Sequence, residues 1–371
     1  MWSSRGAALL AAVLLLAAPG ARGVELEWVH LGAPGNQQDP RTGFGDVPYS
    51  LEVGRLEVTN AEYAEALNAV AAADPYGMYG PAMAPGIARY GKPGAYVYAV
   101  GAGREGYPVG FVSLWDALRF ANWLHNGEPV GAQGRSTTER GAYTFYARNV
   151  AGPRNPGARV FLPSENEWFK AAFYDPEADV FYRYATGSNV RPTCEAPPGG
   201  VNSAACDQAT PLQPSGSYPA SRSPFGTLDQ SGNTYEWHEG GLTGAYGVRG
   251  GSALAIVWDQ LHSGARGSYE SSKESSGVGF RVASAREGGA APRCANGEDD
   301  DGDGATDYPA DLDCSSALDH ADSAARAPPA IPPAMPPRCG LLGLEAAPML
   351  ALALWRRRRR PCLGDSRKSA I

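Results

Sequence analysis

No cysteine lies between Val248 and Arg281, although VRGGSALAIVWDQLHSGARGSYESSKESSGVGFR otherwise has the character of a functional segment. It holds a Gly-Gly turn, aromatic residues and spaced arginines, but no thiol. Chemistry that runs on a thiolate is therefore excluded from this stretch itself. The chain has only six cysteines in all. It also lacks any uninterrupted apolar run of the roughly 20 residues that a stable membrane-spanning helix needs. No internal repeat occurs, which removes solenoids and propellers. The formal net charge is −7, and no stretch of the main segment is a basic nucleic-acid surface. Lys and Arg are missing altogether between Cys294 and Ser323, where ten acids stand. The compensating bases lie in Ala324–Ile371, with nine bases against two acids.

The two ends carry address-like patterns. Arg5 precedes an apolar stretch, Ala7–Ala18, and small residues follow to Gly23. Residues 1–23 read as a secretory signal peptide, with a mature start near Val24 and an uncleaved anchor as the alternative. At the other end, Cys339 and Gly340 precede the apolar Leu341–Trp355 and the cluster Arg356–Arg360. Residues 339–371 are similar to the C-terminal sorting tags of Gram-negative bacteria, especially the myxobacterial type. That resemblance implies a segment that contacts the membrane before processing, and a protein at the cell surface or outer membrane. The alternative is a plain tail anchor with its basic cluster inside. In an exported chain cysteines read as disulfides. The sequence-local pairs are Cys194 with Cys206 and Cys294 with Cys314; Cys339 and Cys362 sit in the tag.

Residues 24–286 are long enough for one large domain. Three helices are predicted by one device, a hydroxyl cap with an acid three residues on: Thr59/Glu62, Ser113/Asp116 and Ser164/Glu167. Apolar residues follow at helical spacing: Tyr63, Leu67, Val70; Leu114, Ala117, Leu118, Ala121; Trp168, Ala171, Ala172. These stripes read as core. Residues 95–100, 142–147 and 159–163 read as strands. The Gly/Pro-rich connections 76–94 and 186–200 are long for a compact domain, so extra ties such as a disulfide or metal ions are expected.

Beyond a hinge, residues 287–323 contain CANGEDDDGDGATDYPADLDC. Asp299, Asp301, Asp303 and Asp307, with Gly304, have the spacing that opens a calcium loop. Ala310 stands where an EF-hand has its final Glu, so the segment is closer to Asp-rich extracellular calcium repeats. A solvated acidic linker is the competing reading. Residues 324–338 read as a Pro-rich, stiff stalk.

Six ordered segments carry a family resemblance: GRLEVTNAEYAEALNAV, YPVGFVSLWDALRFANWL, FLPSENEWFKAA, SPFGTLDQSGNTYEW, VRGGS and GFRVAS. Together they resemble the formylglycine-generating enzyme, or sulfatase-modifying factor, family. The resemblance implies an α+β, C-type-lectin-like fold with few short helices and strands. It also implies an activity, oxidation of a sulfatase cysteine to formylglycine with O₂ and copper(I) held by two cysteines. Those cysteine positions fall on Ala255 and Gln260 in this sequence. Neither replaces a soft thiolate ligand, so no catalytic residue is assigned and copper is not expected.

Two structural calcium sites are implied by the same resemblance. One would use Asp229 and Glu236 side chains with Gly232 and Thr234 carbonyls. A looser one would use Asn202 and Asp207 side chains with Ser203 and Ala209 carbonyls. His238 and His262, with Asp259 or Glu239, make an alternative nitrogen/oxygen metal site; surface or loop histidines are the plainer reading. Arg249, Arg266 and Arg281 are expected to pair with carboxylates or carbonyls inside the domain, or to form a cationic floor for a ligand. Two functions follow: an exported binding or scaffold protein with an unidentified protein or glycan ligand, or an oxidoreductase with an altered metal site.

Overall fold

The computed structural model describes residues 23–243, 247–254 and 260–285. The expectations for residues 1–22, Ala255, Asp259, Asp299, Asp301, Asp303, Asp307, Cys294, Cys314, the stalk and the tag lie outside the described residues.

All three predicted helices form, and each begins at its expected cap. They are α1 (Asn60–Val70), α2 (Leu114–His125) and α3 (Glu165–Phe173). In every case the cap hydroxyl accepts the backbone N–H three residues on, and that residue's carboxylate accepts the cap N–H. The first bond is 3.3 Å from Glu62 to Thr59, 3.3 Å from Asp116 to Ser113 and 3.2 Å from Glu167 to Ser164. Two otherwise orphaned donors are thus satisfied at each start. The apolar stripes of all three helices are buried.

The sheets are small. A four-stranded antiparallel sheet has the order Trp28–Leu31, Leu51–Gly54, Ala283–Ala285, Val160–Phe161. It brings the first and last described parts of the domain side by side. A three-stranded sheet centres on Tyr235–Trp237, flanked by Val248–Arg249 and, in parallel, Val278–Phe280. The 95–100 and 142–147 expectations resolve into two hairpins, Ile87–Tyr90 with Val97–Val100 and Tyr143–Ala147 with Val150–Arg154. Of residues 159–163 only Val160 and Phe161 are strand.

The long connections are tied mostly by side chains. Asp74 accepts the N–H groups of Met78 and Tyr79 and the amide of Gln133. The Arg89 guanidinium lies 4.7 and 4.3 Å from the rings of Tyr79 and Tyr96. In the second connection the expected Cys194–Cys206 disulfide is present. It sits where Thr193–Cys194 pairs in parallel with Ser203–Ala204. Such ties replace the ladder bonds that the irregular backbone does not make.

The main core packs α1 and α2 against Leu31, Val53, Phe161, Trp237 and Phe280. A second cluster, Trp168, Phe169, Ala172, Phe173 and Ala185, lies along α3.

The cap acid of α2 carries a pH dependence. Burial pushes the Asp116 carboxyl up to about 7, against the pull of two hydrogen bonds with Ser113 and of nearby Arg119. A carboxyl raised in the folded state contributes stability below its unfolded pKa, about 3.9, and loses it as pH rises through about 7. Asp116→Asn does not titrate. The stability of the unmodified protein relative to this variant should fall by about 2–3 kcal/mol between pH 5 and pH 8. Urea denaturation at the two pH values measures this, and an unchanged difference would contradict it.

Candidate functional site

The RGGS segment makes a turn that only glycines allow. Gly250 and Gly251 have φ of +96° and +78°. A Cβ on Gly251 would stand 2.7 Å from Leu261 Cδ2 and 3.1 Å from the Gln260 carbonyl. The turn is clamped to the G-N-x-x-E-W segment, because Gly232 N–H donates to the Gly250 carbonyl at 2.8 Å and Ala253 N–H to the Asn233 carbonyl at 2.9 Å. Ser252 Oγ also donates to the Asn233 carbonyl, at 3.2 Å.

Around this clamp the first turn of α3 holds three acceptor or donor groups, each with a buried partner. Glu165 takes Arg249 Nε at 2.8 Å and Arg266 Nε at 2.6 Å. Burial opposes its charge, but the hydrogen bonds from Arg266 and the charge of Arg249 outweigh that and hold the carboxyl below its usual range. Glu167 takes both ends of the Arg154 fork, at 3.0 and 2.8 Å, and the Tyr49 hydroxyl at 2.7 Å. Trp168 Nε1 donates to Glu236 at 2.7 Å. Arg154 continues to Glu239, which also receives the Tyr143 hydroxyl at 2.6 Å.

Arg281 answers Glu236 with two bonds of 2.6 Å, and both side chains are fully buried. Its remaining donors reach the carbonyls of Gly54, Arg55 and Leu228. Each of the three arginines of the frame therefore has a carboxylate inside the domain. Arg249 and Arg281 are buried and offer no cationic floor; Arg266 is partly exposed but is bonded to Glu165.

Acid exceeds base at one point of this network. Burial, then the charges of Asp229 and Glu236, push the Glu57 carboxyl well above its usual range. Burial raises Asp229 to about 6 despite a hydrogen bond from Gly216 N–H and the charge of Arg281. Three carboxylates thus share the single guanidinium of Arg281. Glu57 Oε1 receives Asn233 Nδ2 at 2.9 Å; Glu57 Oε2 is buried without a well-formed hydrogen bond, and the nearby Ser215 hydroxyl only partly offsets the raised pKa. Such a buried carboxylate oxygen beside an acid excess is chemically suited to a hard cation. Asp229 has φ +64°, which turns it out of the regular chain. Among the described residues no three His, Cys, Asp or Glu side chains converge in ligating geometry, so backbone carbonyls would have to complete any such site.

The other candidates are placed as follows. Asn202 receives the Thr186 hydroxyl at 2.5 Å and donates to the Val190 carbonyl at 3.1 Å. Asp207 pairs with Arg191. Both side chains are thus engaged by the 186–191 connection. Ser203 N–H is held by the Ser221 hydroxyl, and Ala209 N–H by the Cys206 carbonyl. His238 is not a surface residue. It is fully buried, burial pushes it down to about 3, Nδ1 accepts Gly240 N–H at 3.1 Å, and Nε2 has no partner. His262 is partly exposed, pairs across to Tyr184 in an isolated bridge, and accepts Gly264 N–H. Nothing in these contacts joins the two histidines. Gln260 Oε1 is buried without a partner.

Sequence reasoning missed Glu57, Glu165 and Arg154. Glu57 stands just before the α1 cap in GRLEVTN, a position that carried a signal only as part of that segment. A separate cleft of about 290 Å³ opens beside Tyr107, Phe111, Leu212 and Ser276.

The fold and the clamp define a loop-rich α+β domain whose irregular backbone is fixed by buried arginine–carboxylate pairs around a Gly-Gly turn. Residues 33–286 match the Sulfatase-modifying factor enzyme 1-like domain, and the chain belongs to that family. No curated protein matches the chain significantly. Similar solved structures include Treponema denticola variable protein 1, with 18% identity over 71% of this chain and 96% of that one and a TM-score of 0.44. The crystal structure of CarF has 20% identity over 71% and 99%, with a TM-score of 0.43. PvdO from Pseudomonas aeruginosa has 18% identity over 70% and 92%, with a TM-score of 0.36.

Proposed function

We propose that the chain is a non-catalytic binding or scaffold member of the sulfatase-modifying factor family, exported and displayed at the cell surface. The observation that carries this reading is the donor set at the RGGS turn. Ala255 and Gln260 occupy the positions of the copper-binding cysteines that the resemblance implies. The described cysteines, Cys194 and Cys206, are joined to each other and supply no thiolate. Copper(I) wants soft sulfur ligands, and an amide does not replace them. The residues present do not fit that metal.

Calcium suits them better. Asp229 and Glu236, with the carbonyls of Gly232 and Thr234, would form the first site, and Glu57 would add negative charge beside it rather than a third side-chain ligand. The ion would supply charge compensation and ties between loops. The second set, Asn202, Ser203, Asp207 and Ala209, is the looser one; in both sets a carboxylate is already paired with an arginine, Glu236 with Arg281 and Asp207 with Arg191. Export rests on the N-terminal pattern of residues 1–23, and surface display on the Cys339 tag.

Three outcomes follow. The purified protein, with or without added copper, should leave the cysteine of a sulfatase peptide unconverted. Oxidised peptide above a no-enzyme control in mass spectrometry would overturn the non-catalytic reading and favour an oxidoreductase with an altered metal site.

Chelation should lower the melting temperature of the purified protein. A ligand at a hundredfold excess over its Kd adds about 2.7 kcal/mol. Glu57→Gln and Glu236→Gln should each blunt the response. An unchanged melt on chelation would remove calcium from the first site.

The native protein should lack both the first ~23 residues, a signal-peptide length, and Arg356–Arg360. Intact-mass analysis decides this, since a native chain still carrying the arginine cluster would point to a simple tail anchor.

A further inference from the structure

The four-stranded sheet turns one face to the core through Leu31, Leu51, Val53, Phe161 and Ala283. Its other face has a cross-strand row in register, His30, Glu52, Ser284 and Val160. Such a face is expected to be polar and solvated. It is not flat, however. A recess of about 650 Å³ lies over it, walled by the C-terminal end of α2 and by Arg159. That volume is within the range of small-ligand sites.

Three features of the recess point to a ligand. At one end stands Trp28, an indole with 37% exposure, on a face that mixes the polar His30, Glu52 and Ser284 with Val160. Its partner across the ladder is Gly54, so no neighbouring side chain covers it from that strand. In the middle, Glu52 Oε1 is held by His30 Nδ1 at 3.0 Å, which fixes the carboxylate's orientation. At the far end the Arg159 guanidinium donates to the His125 carbonyl at 2.6 Å, and Arg159 N–H donates to His125 Nδ1 at 2.9 Å. Since Nδ1 accepts, the remaining imidazole proton is on Nε2.

The chemistry selects among ligand classes. A phosphate would meet the Glu52 carboxylate. An apolar ligand would strip water from Glu52 and Arg159 without replacing it, which is costly. A neutral polyhydroxylated ring suits all three groups. Its C–H face stacks on the indole, while its hydroxyls donate to Glu52 and accept from Arg159. We propose that this recess, formed by Trp28, Glu52, His125 and Arg159, is a saccharide-binding site. It shares no residue with the RGGS clamp or the carboxylate cluster, and it stands whether or not the clamp carries chemistry.

The test uses the full chain with chitotriose, cellotriose and maltotriose as probes, by saturation-transfer NMR and isothermal titration. At least one should bind with a Kd of about 1 mM or below. Trp28→Ala and Glu52→Gln should each weaken it roughly tenfold or more. Tyr90→Ala, which removes an exposed aromatic from a different hairpin, should leave it unchanged. Glu52→Gln keeps size and register, so it remains informative if Trp28→Ala loosens the sheet edge. The proposal is overturned if none of the three sugars binds up to roughly 10 mM, if binding survives both recess variants, or if it depends on Tyr90.

Discussion

The ion pair between Glu236 and Arg281 is the constraint on which the rest of the domain depends. Both groups are excluded from water, where isolated charges are costly. They are tolerated because the fork is bidentate and because every other donor of Arg281 finds a carbonyl. Those carbonyls belong to Gly54, Arg55 and Leu228, so one side chain fastens the start, the middle and the end of the domain. Removing one partner from such a pair costs about 3–5 kcal/mol, because the other charge stays buried alone.

The same device recurs along α3. Glu165, Glu167 and Trp168 each bind a group brought from a different part of the chain. Short strands and long turns leave little regular ladder to define the fold. Directional bonds from buried guanidinium groups supply that definition, and their planar fork fixes orientation as well as distance. The RGGS turn is one product. Its two left-handed glycines bring Gly250 and Ala253 against the G-N-x-x-E-W backbone, and the adjacent Arg249 is locked between Glu165 and two phenylalanine rings. Among the described residues the frame keeps its glycine clamp and its three paired arginines. What stands at the chemically decisive positions is a matter of side chains alone, which is why a shared fold does not fix a shared activity.

Much of the fold was legible. The caps at Thr59, Ser113 and Ser164 and the stripes behind them are local patterns, and local hydrogen bonding decides a helix start. The Cys194–Cys206 pair was legible from the proximity of the two cysteines in the sequence. Legibility failed for groups whose meaning depends on distant partners. His238 read as a loop histidine, because nothing near it in sequence says that the chain closes over it. Glu57 was not singled out at all, because nothing local marks it. Its significance arises from Asp229 and Glu236, more than 170 residues away, which raise its pKa by their charge once burial has removed the water.

By itself the sequence determined the three helix starts, the glycine turn, the disulfide and the absence of thiolates from the RGGS segment, because each is set by residue type at short range. The tertiary structure alone decided which arginine meets which carboxylate, that Glu57 is left with an oxygen lacking a well-formed hydrogen bond, and that Trp28, Glu52 and Arg159 wall one recess. Those outcomes depend on strand register and on burial. Register is set by side chains meeting across the sheet, and burial by how the whole chain packs.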